Sequence, residues 1–430
     1  MKKFHLFTLL AALLLAQSVF ASWDLGLDLR ARFYTNNNLP NDKYGESGST
    51  SFGRFRTRVW GAYKTDDFGF YLRLANEFRD YYSPESSSSK QRFPDVLFID
   101  NLYVETKDLL GALDIRLGRQ NLSFGSKRII SEGTPGDGSR GTSFDGLRIT
   151  WKGEEKRALD AFAFYQSDDD WLPAAGKTHT NGKRPGDYDL NGLAQDEFAT
   201  GLYWQDRSNK NFGWDAYYVA KFEYRDEDSK FRSEGKTSNT QTLGFRLLPV
   251  FSEKLKGEVE AAIQAGDHGH LAGLAYSGLT YVPRKGQELT LACLYLTGDS
   301  DGPRGEHSWK SVYNRESFIG EADSPMYSKS DYTNLVYPHL AGKFSLGRAG
   351  KLNLQAGPMF AGTSVNGRGQ FRGFYGQAKW SANLEELLDW KYARNTTLSV
   401  TGEALRKGNY FDKGKRDTAL LGRVELTWKY

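Results

Sequence analysis

The chain holds one cysteine, Cys293, in 430 residues, so no intrachain disulfide can form. Beyond its first residues it lacks any run of about 18 consecutive apolar residues, which excludes a membrane-spanning helix. It also lacks a charge imbalance: 57 Lys and Arg stand against 53 Asp and Glu, a formal net charge of +4. That is too little to argue for a nucleic-acid partner. No Ser/His/Asp set can be located by spacing, so nothing points to an enzyme or to a cofactor. Hydrophobic content is only 39% and mean hydropathy is −0.60. Aromatic residues, by contrast, reach 14%, with 24 Tyr, 27 Phe and 10 Trp. A soluble core does not need so many Tyr and Trp, whereas aromatic girdles at two membrane interfaces do.

Both ends carry export signals. Lys2 and Lys3 precede an apolar run from Phe4 to Leu15, and Val19-Phe20-Ala21 offers a small-residue cleavage site before Ser22. The run is too short and wrongly flanked to span a bilayer, so residues 1–21 read as a cleaved signal peptide and 22–430 as a single domain. At the other end Val424, Leu426, Trp428 and Tyr430 alternate with Glu425, Thr427 and Lys429. A strand with lipid on one side and water on the other has this period. Closing on an aromatic resembles the terminal signal of outer-membrane barrels of Gram-negative bacteria.

Eighteen segments alternate in this way, each about as long as a membrane strand, ~9–11 residues. They are 23–33, 51–63, 68–77, 96–106, 112–124, 144–152, 158–166, 198–206, 213–224, 239–247, 255–265, 271–282, 288–297, 335–344, 351–360, 370–380, 396–405 and 418–430. The predicted fold is all-β: a transmembrane antiparallel up-and-down barrel of 18 strands, with 16 as the alternative. Connections alternate between long, Gly-, Ser-, Asn- and Asp-rich segments and short turns, as external loops and periplasmic turns do. Gly266–His270 is an unusually short external turn. Ser381–Asn395, with Leu384, Leu387, Leu388 and Trp390 among acids, reads as a short amphipathic helix on the periplasmic side.

The lipid side must be apolar, and that assigns the faces. Leu25, Leu27, Leu29 and Phe33 face out on the first strand, which turns Arg30 and Arg32 inward. Phe55, Val59 and Tyr63 do the same on the second for Arg54, Arg56 and Arg58, and Phe70, Leu72 and Leu74 on the third for Arg73 and Glu77. An arginine on the lipid face would cost ~2–4 kcal/mol near the midplane. Further round, Asp215, Glu223, Glu258 and Glu260 line an opposing acidic wall. Three arginines at alternate positions of one strand repel unless something anionic approaches them; the alternative is that the lumen charges pair across strands and fill the interior. A wall of Arg is what anion-selective pores use. A barrel of 16–18 strands encloses an aqueous channel, so passage is the expected function.

The run Leu113-Asp114-Ile115-Arg116-Leu117-Gly118-Arg119-Gln120-Asn121-Leu122-Ser123-Phe124-Gly125, followed by Phe144-Asp145-Gly146-Leu147-Arg148, resembles the Gly-Arg-Gln strand and hairpin of the alginate-export family. Leu294-Tyr295-Leu296-Thr297-Gly298-Asp299-Ser300-Asp301 is similar to that family's late strand and Thr-Gly-Asp loop. The resemblance implies a monomeric eighteen-stranded outer-membrane channel that passes a polyuronate through an arginine-rich lumen. It also implies a periplasmic plug where Ser381–Asn395 sits. Arg116 and Arg148 join the expected pathway. Strict alternation leaves Arg119 on the apolar side, unless Gly118 forms a bulge that turns it inward.

The expected partners are outer-membrane lipid and lipopolysaccharide, an anionic saccharide carried passively, and periplasmic export components. The alternative is a general or sugar-selective diffusion porin for small solutes. His268 and His270 beside Asp267, and Asp299 with Asp301, are weak metal candidates, each short of a full ligand set.

Overall fold

Every one of the eighteen alternating segments forms a strand, because a period of two sends its apolar side chains to one face and its polar ones to the other. The structure, a computed structural model, describes residues 22–39, 49–83, 91–132, 143–167, 172, 174–176, 196–224, 237–300, 306–314, 319–320, 333–365 and 367–430. The signal-peptide assignment and Asp301 lie outside these residues. The wall strands are β1 (Ser22–Asn37), β2 (Ser49–Lys64), β3 (Phe68–Ser83), β4 (Gln91–Leu109), β5 (Leu113–Gln120), β6 (Phe144–Lys152), β7 (Arg157–Gln166), β8 (Asp196–Asp206) and β9 (Phe212–Tyr224). They continue as β10 (Ser238–Ser252), β11 (Leu255–Gly266), β12 (Leu271–Tyr281), β13 (Gln287–Leu296), β14 (Leu335–Ser345), β15 (Lys351–Phe360), β16 (Phe371–Asn383), β17 (Thr396–Lys407) and β18 (Ala419–Lys429).

Each strand pairs antiparallel with the next, and β1 pairs with both β2 and β18. The sheet therefore closes on itself as an 18-stranded barrel. Tyr430 and Leu27 exchange backbone hydrogen bonds of 2.8 and 3.1 Å at the seam. Closure leaves no edge whose amides would meet hydrocarbon unsatisfied. A short strand, Ala174–Gly176, pairs with β4 at Val96–Phe98, beyond the stretch that β5 takes.

The outer face is apolar and exposed along its length, with Leu25, Ile263 and Leu340 each more than half accessible. Its aromatics sort by level. Trp23 with Tyr63, Trp151 with Trp204 and Trp214, and Trp428 with Tyr430 are in ring contact near the short-turn end. Phe33, Phe55 and Phe78, Phe198 with Phe222, and Phe360 with Phe371 do the same near the long-loop end. Two aromatic belts with an aliphatic band between them match a bilayer's two interfaces. Inside, the Trp60 ring lies over Gly26, where even a Cβ would approach it to 2.0 Å.

Three expectations change. The fifth strand ends at Gln120 rather than 124, since Leu122 and Phe124 turn into the barrel and are buried. No bulge forms at Gly118: the register on both flanks of β5 is unbroken there, although Gly118 adopts φ +121°. The β16–β17 connection does contain a helix, α1 (Leu384–Leu388), capped by the Asn383 side chain, which accepts from the Glu385 and Glu386 amides. It packs against its own strands and the turn Gly347–Ala349, where Arg348 reaches Asp389 at 3.1 Å. That puts it on the rim beside its neighbour, not across the barrel as a plug.

Leu340 is 65% exposed at the middle of β14. Leu340→Arg should destabilise the folded barrel by ~2–4 kcal/mol, read from urea unfolding in liposomes.

Candidate pore wall and constriction

The inner faces of β18, β1, β2, β3 and β4 bring together the six leading arginines of the sequence. Antiparallel register sets Arg30 opposite Arg56 and Arg32 opposite Arg54. Like charges directly across a ladder repel, and the wall answers with interleaved carboxylates. Asp28 holds Arg56 at 2.9 Å, Glu77 holds Arg54 at 3.0 Å, and Glu425 on β18 pairs with Arg32. Asp100 takes two guanidiniums, Arg58 at 3.0 Å and Arg73 at 2.7 Å. Arg30, Arg32, Arg56 and Arg58 are buried rather than water-lined, Arg32 at 1% exposed and Arg58 at 3%, while Arg54 and Arg73 are half-buried.

Asp100 reaches them by a β-bulge. Arg73 pairs with Asn101 and Leu74 with Ile99, so Asp100 is the extra residue of β4. A bulge re-aims a side chain at the cost of a local break in the ladder. Alternation alone cannot give that, and the sequence reading missed Asp100 for this reason. It also missed Arg79 and Arg423, buried or half-buried beside the same cluster. Both were legible in principle, because they continue the inward parity of β3 and β18.

Arg116 and Arg148 face each other on β5 and β6 but are held separately. Arg116 pairs with Glu105 at 2.7 Å over the Tyr103 ring, and Arg148 with Asp160 at 2.7 Å. Arg119 is buried, bonded to Asp145 by two nitrogens at 2.7 Å and to the Ile99 carbonyl.

Across the barrel, Asp215, Glu258 and Glu260 converge, while Glu223 belongs to a different cluster with Lys221 and Ser238. The three are not an open acidic wall. Arg246 on β10 bonds Glu258 at 3.0 Å and Asp215 at 3.3 Å. Arg128, from the β5–β6 connection, reaches Glu258 at 2.8 Å and Glu260 at 2.7 Å and lies over the Tyr276 ring. Burial alone would lower the Arg128 pKa, but Glu260 and then Glu258 outweigh it and hold the guanidinium above its ordinary range. Ser126 donates to the same Glu260 oxygen as Arg128 at 2.5 Å, Tyr217 to the other Glu260 oxygen at 3.0 Å, and Tyr203 to the Asp215 oxygen that Arg246 also reaches, at 3.0 Å.

Arg128 sits there because its connection folds inward. Leu122, Phe124, Ile129 and Ile130 are buried, and Phe124 stacks on Phe162 and Tyr203. Ile130–Ser131 pairs with Tyr313–Asn314 from the β13–β14 connection, whose Trp309, Val312 and Ile319 join the same apolar cluster. Gln264 clamps the Lys310 backbone through both its amide groups, at 2.8 and 3.0 Å. Two segments read as external loops thus narrow the barrel. Their signal was the Ile129-Ile130 pair in one long connection and Trp309, Val312 and Ile319 in the other.

Among the described residues no group of three metal-ligating side chains occurs. His270 instead faces the Glu306 carbonyl at 2.8 Å, and Asp299 accepts from the His307 amide.

A sequence model described as alginate export matches residues 22–281. The chain belongs to the alginate export family. No curated protein matches it. Three solved Pseudomonas aeruginosa structures share its architecture, at 12–13% identity that carries the fold alone. OpdK with vanillate aligns at TM-score 0.59 and 12% identity over 95% of this chain and 98% of that one. OccK8 (OprE) aligns at 0.59 and 12%, over 95% and 98%. OccK11 (OpdR) aligns at 0.58 and 13%, over 95% of each. Alginate-export membership and this barrel place the chain in the outer membrane of a Gram-negative bacterium, as a channel.

Arg128→Ala should loosen the inward connection while Arg246 still neutralises Glu258. The expected result is a folded barrel with larger single-channel conductance and faster proteolysis between residues 121 and 143.

Proposed function

We propose that this alginate-export barrel passes anionic saccharides passively, along the arginine wall of β1–β3. One observation carries the reading. Arg56 is buried, yet its Nε and Nη1 have no hydrogen-bond partner among the described residues, and its third nitrogen is shared with Asp28. Buried donors left unmade cost about 1–3 kcal/mol each, a strain that a visiting carboxylate relieves. Guanidiniums present a planar fork that matches carboxylate geometry.

Asp28, Glu77, Asp100 and Glu425 act in this reading as resident counter-ions. They hold the arginines in place between visits and give way one at a time to the carboxylates of the moving chain. Because each exchange replaces one ion pair by another, binding stays weak enough for release, which conduction requires. No energy source is needed beyond the solute gradient.

A second reading, a diffusion porin for small solutes, is favoured by the inward-folded connections at Arg128 and Tyr313. Planar-bilayer recordings separate the two. Under a salt gradient, the polyanion reading expects anion-selective current blocked by oligouronates and not by neutral oligosaccharides. Block by neutral sugars alone would favour the porin. Replacing Arg54, Arg56 and Arg58 together with Ser should shift the reversal potential toward cation selectivity with the barrel still folded. Unchanged selectivity would remove the arginine wall from the pathway.

A further inference from the structure

The membrane-facing surface is not uniform. Over β14–β18 it sinks into an apolar groove of about 970 Å³ that reaches the long-loop ends of β18 and β1 at Leu420 and Asn37. That volume lies at the upper end of clefts that bury small ligands, roughly 300–1,000 Å³. The register explains its shape. One line across the strands runs Gly342, Leu354, Ala378, Gly402, Gly422, and the next runs Leu340, Ala356, Gly376, Ala404, Leu420. Elsewhere the outer face fills such lines with Leu, Val, Ile and Phe. Here the floor is backbone, and Leu340, Leu354 and Leu420 form its walls.

The external end of the groove is basic. The next line outward on β16 and β17 is Phe374 and Arg406. Beyond it the β17–β18 connection exposes Lys413, Lys415 and Arg416. Arg368 and Asp412 neutralise one another at 3.2 Å, so Asp417 is the one further acid of residues 408–418. An apolar trough rising to a cationic rim fits an amphiphile with acyl chains and an anionic head in the outer leaflet.

We infer that this groove holds one molecule of lipopolysaccharide, with an acyl chain of its lipid A on the glycine–alanine floor and a lipid A phosphate on the Arg406–Arg416 rim. Charge complementarity selects the occupant: phosphate binds guanidinium and ammonium strongly, and the rim lies at the level of the headgroups. A second copy of the chain fits poorly, because a two-fold contact would set groove against groove and leave a void.

The test uses the full barrel in detergent, with lipid retention read by native mass spectrometry. The probes are diphosphoryl lipid A, monophosphoryl lipid A and phosphatidylglycerol. Gly402→Leu fills the floor cleanly, since a Cβ there meets nothing within 4 Å. A second variant replaces Arg406, Lys413, Lys415 and Arg416 with Ser. The expected result is preferential retention of diphosphoryl lipid A, lost in the Gly402→Leu barrel. In the rim variant, the preference for two phosphates over one should disappear. Both variants should keep the heat-modifiable mobility of a folded barrel. Equal retention of phosphatidylglycerol and lipid A by the unaltered barrel would overturn the inference. So would retention indifferent to Gly402→Leu, or a dimer abolished by that change.

Discussion

Everything in this molecule depends on the pairing of β1 with β18. In hydrocarbon an open sheet edge leaves amides and carbonyls without partners, and each costs several kcal/mol. The seam removes both edges at once, from Asp28 opposite Lys429 to Asn37 opposite Leu420. It also crosses the charged wall. Arg32 on one side meets Glu425 on the other, so closure and the ion-pair network are a single event.

Closure then defines an inside in which charge must be balanced locally. Buried ion pairs hold only where geometry and further hydrogen bonds repay desolvation. The barrel balances charge in two places, by different means. On β1–β4 the counter-ions are built into the strands, with the bulged Asp100 shared by two arginines. On β8–β12 a strand residue, Arg246, supplies one cation and a connection supplies another: Arg128 reaches Glu258 and Glu260 only when residues 121–132 are folded in. The same charges therefore fix where the barrel is narrow.

The apolar cluster around Phe124, Tyr203 and Tyr313 is the second consequence. A barrel this wide has room for more than its own side chains, and two connections use that room. They leave the arginine side as the face opposite the packed one, which is why the two walls differ in kind and not only in sign.

Strand count, order and facing were legible in the residues, because a period of two against lipid leaves one solution for each segment. Leu25 with Arg30, or Val59 with Arg58, cannot exchange faces without placing a guanidinium in hydrocarbon. Alternation is strictly local, however, and what was missed depends on contacts between distant residues. The inward turn of Asp100 follows from one extra residue in β4, which no hydropathy pattern marks. The pairing of Arg128 with Glu260 joins residues 132 apart in sequence. The groove over β14–β18 exists because glycines and alanines of five strands fall on neighbouring register lines, and register belongs to the closed sheet. The sequence by itself determined which side of each strand meets lipid, since that preference is written residue by residue. Only the tertiary structure decided which charges neutralise one another and which connections enter the barrel, because those energies exist only once the ring has closed.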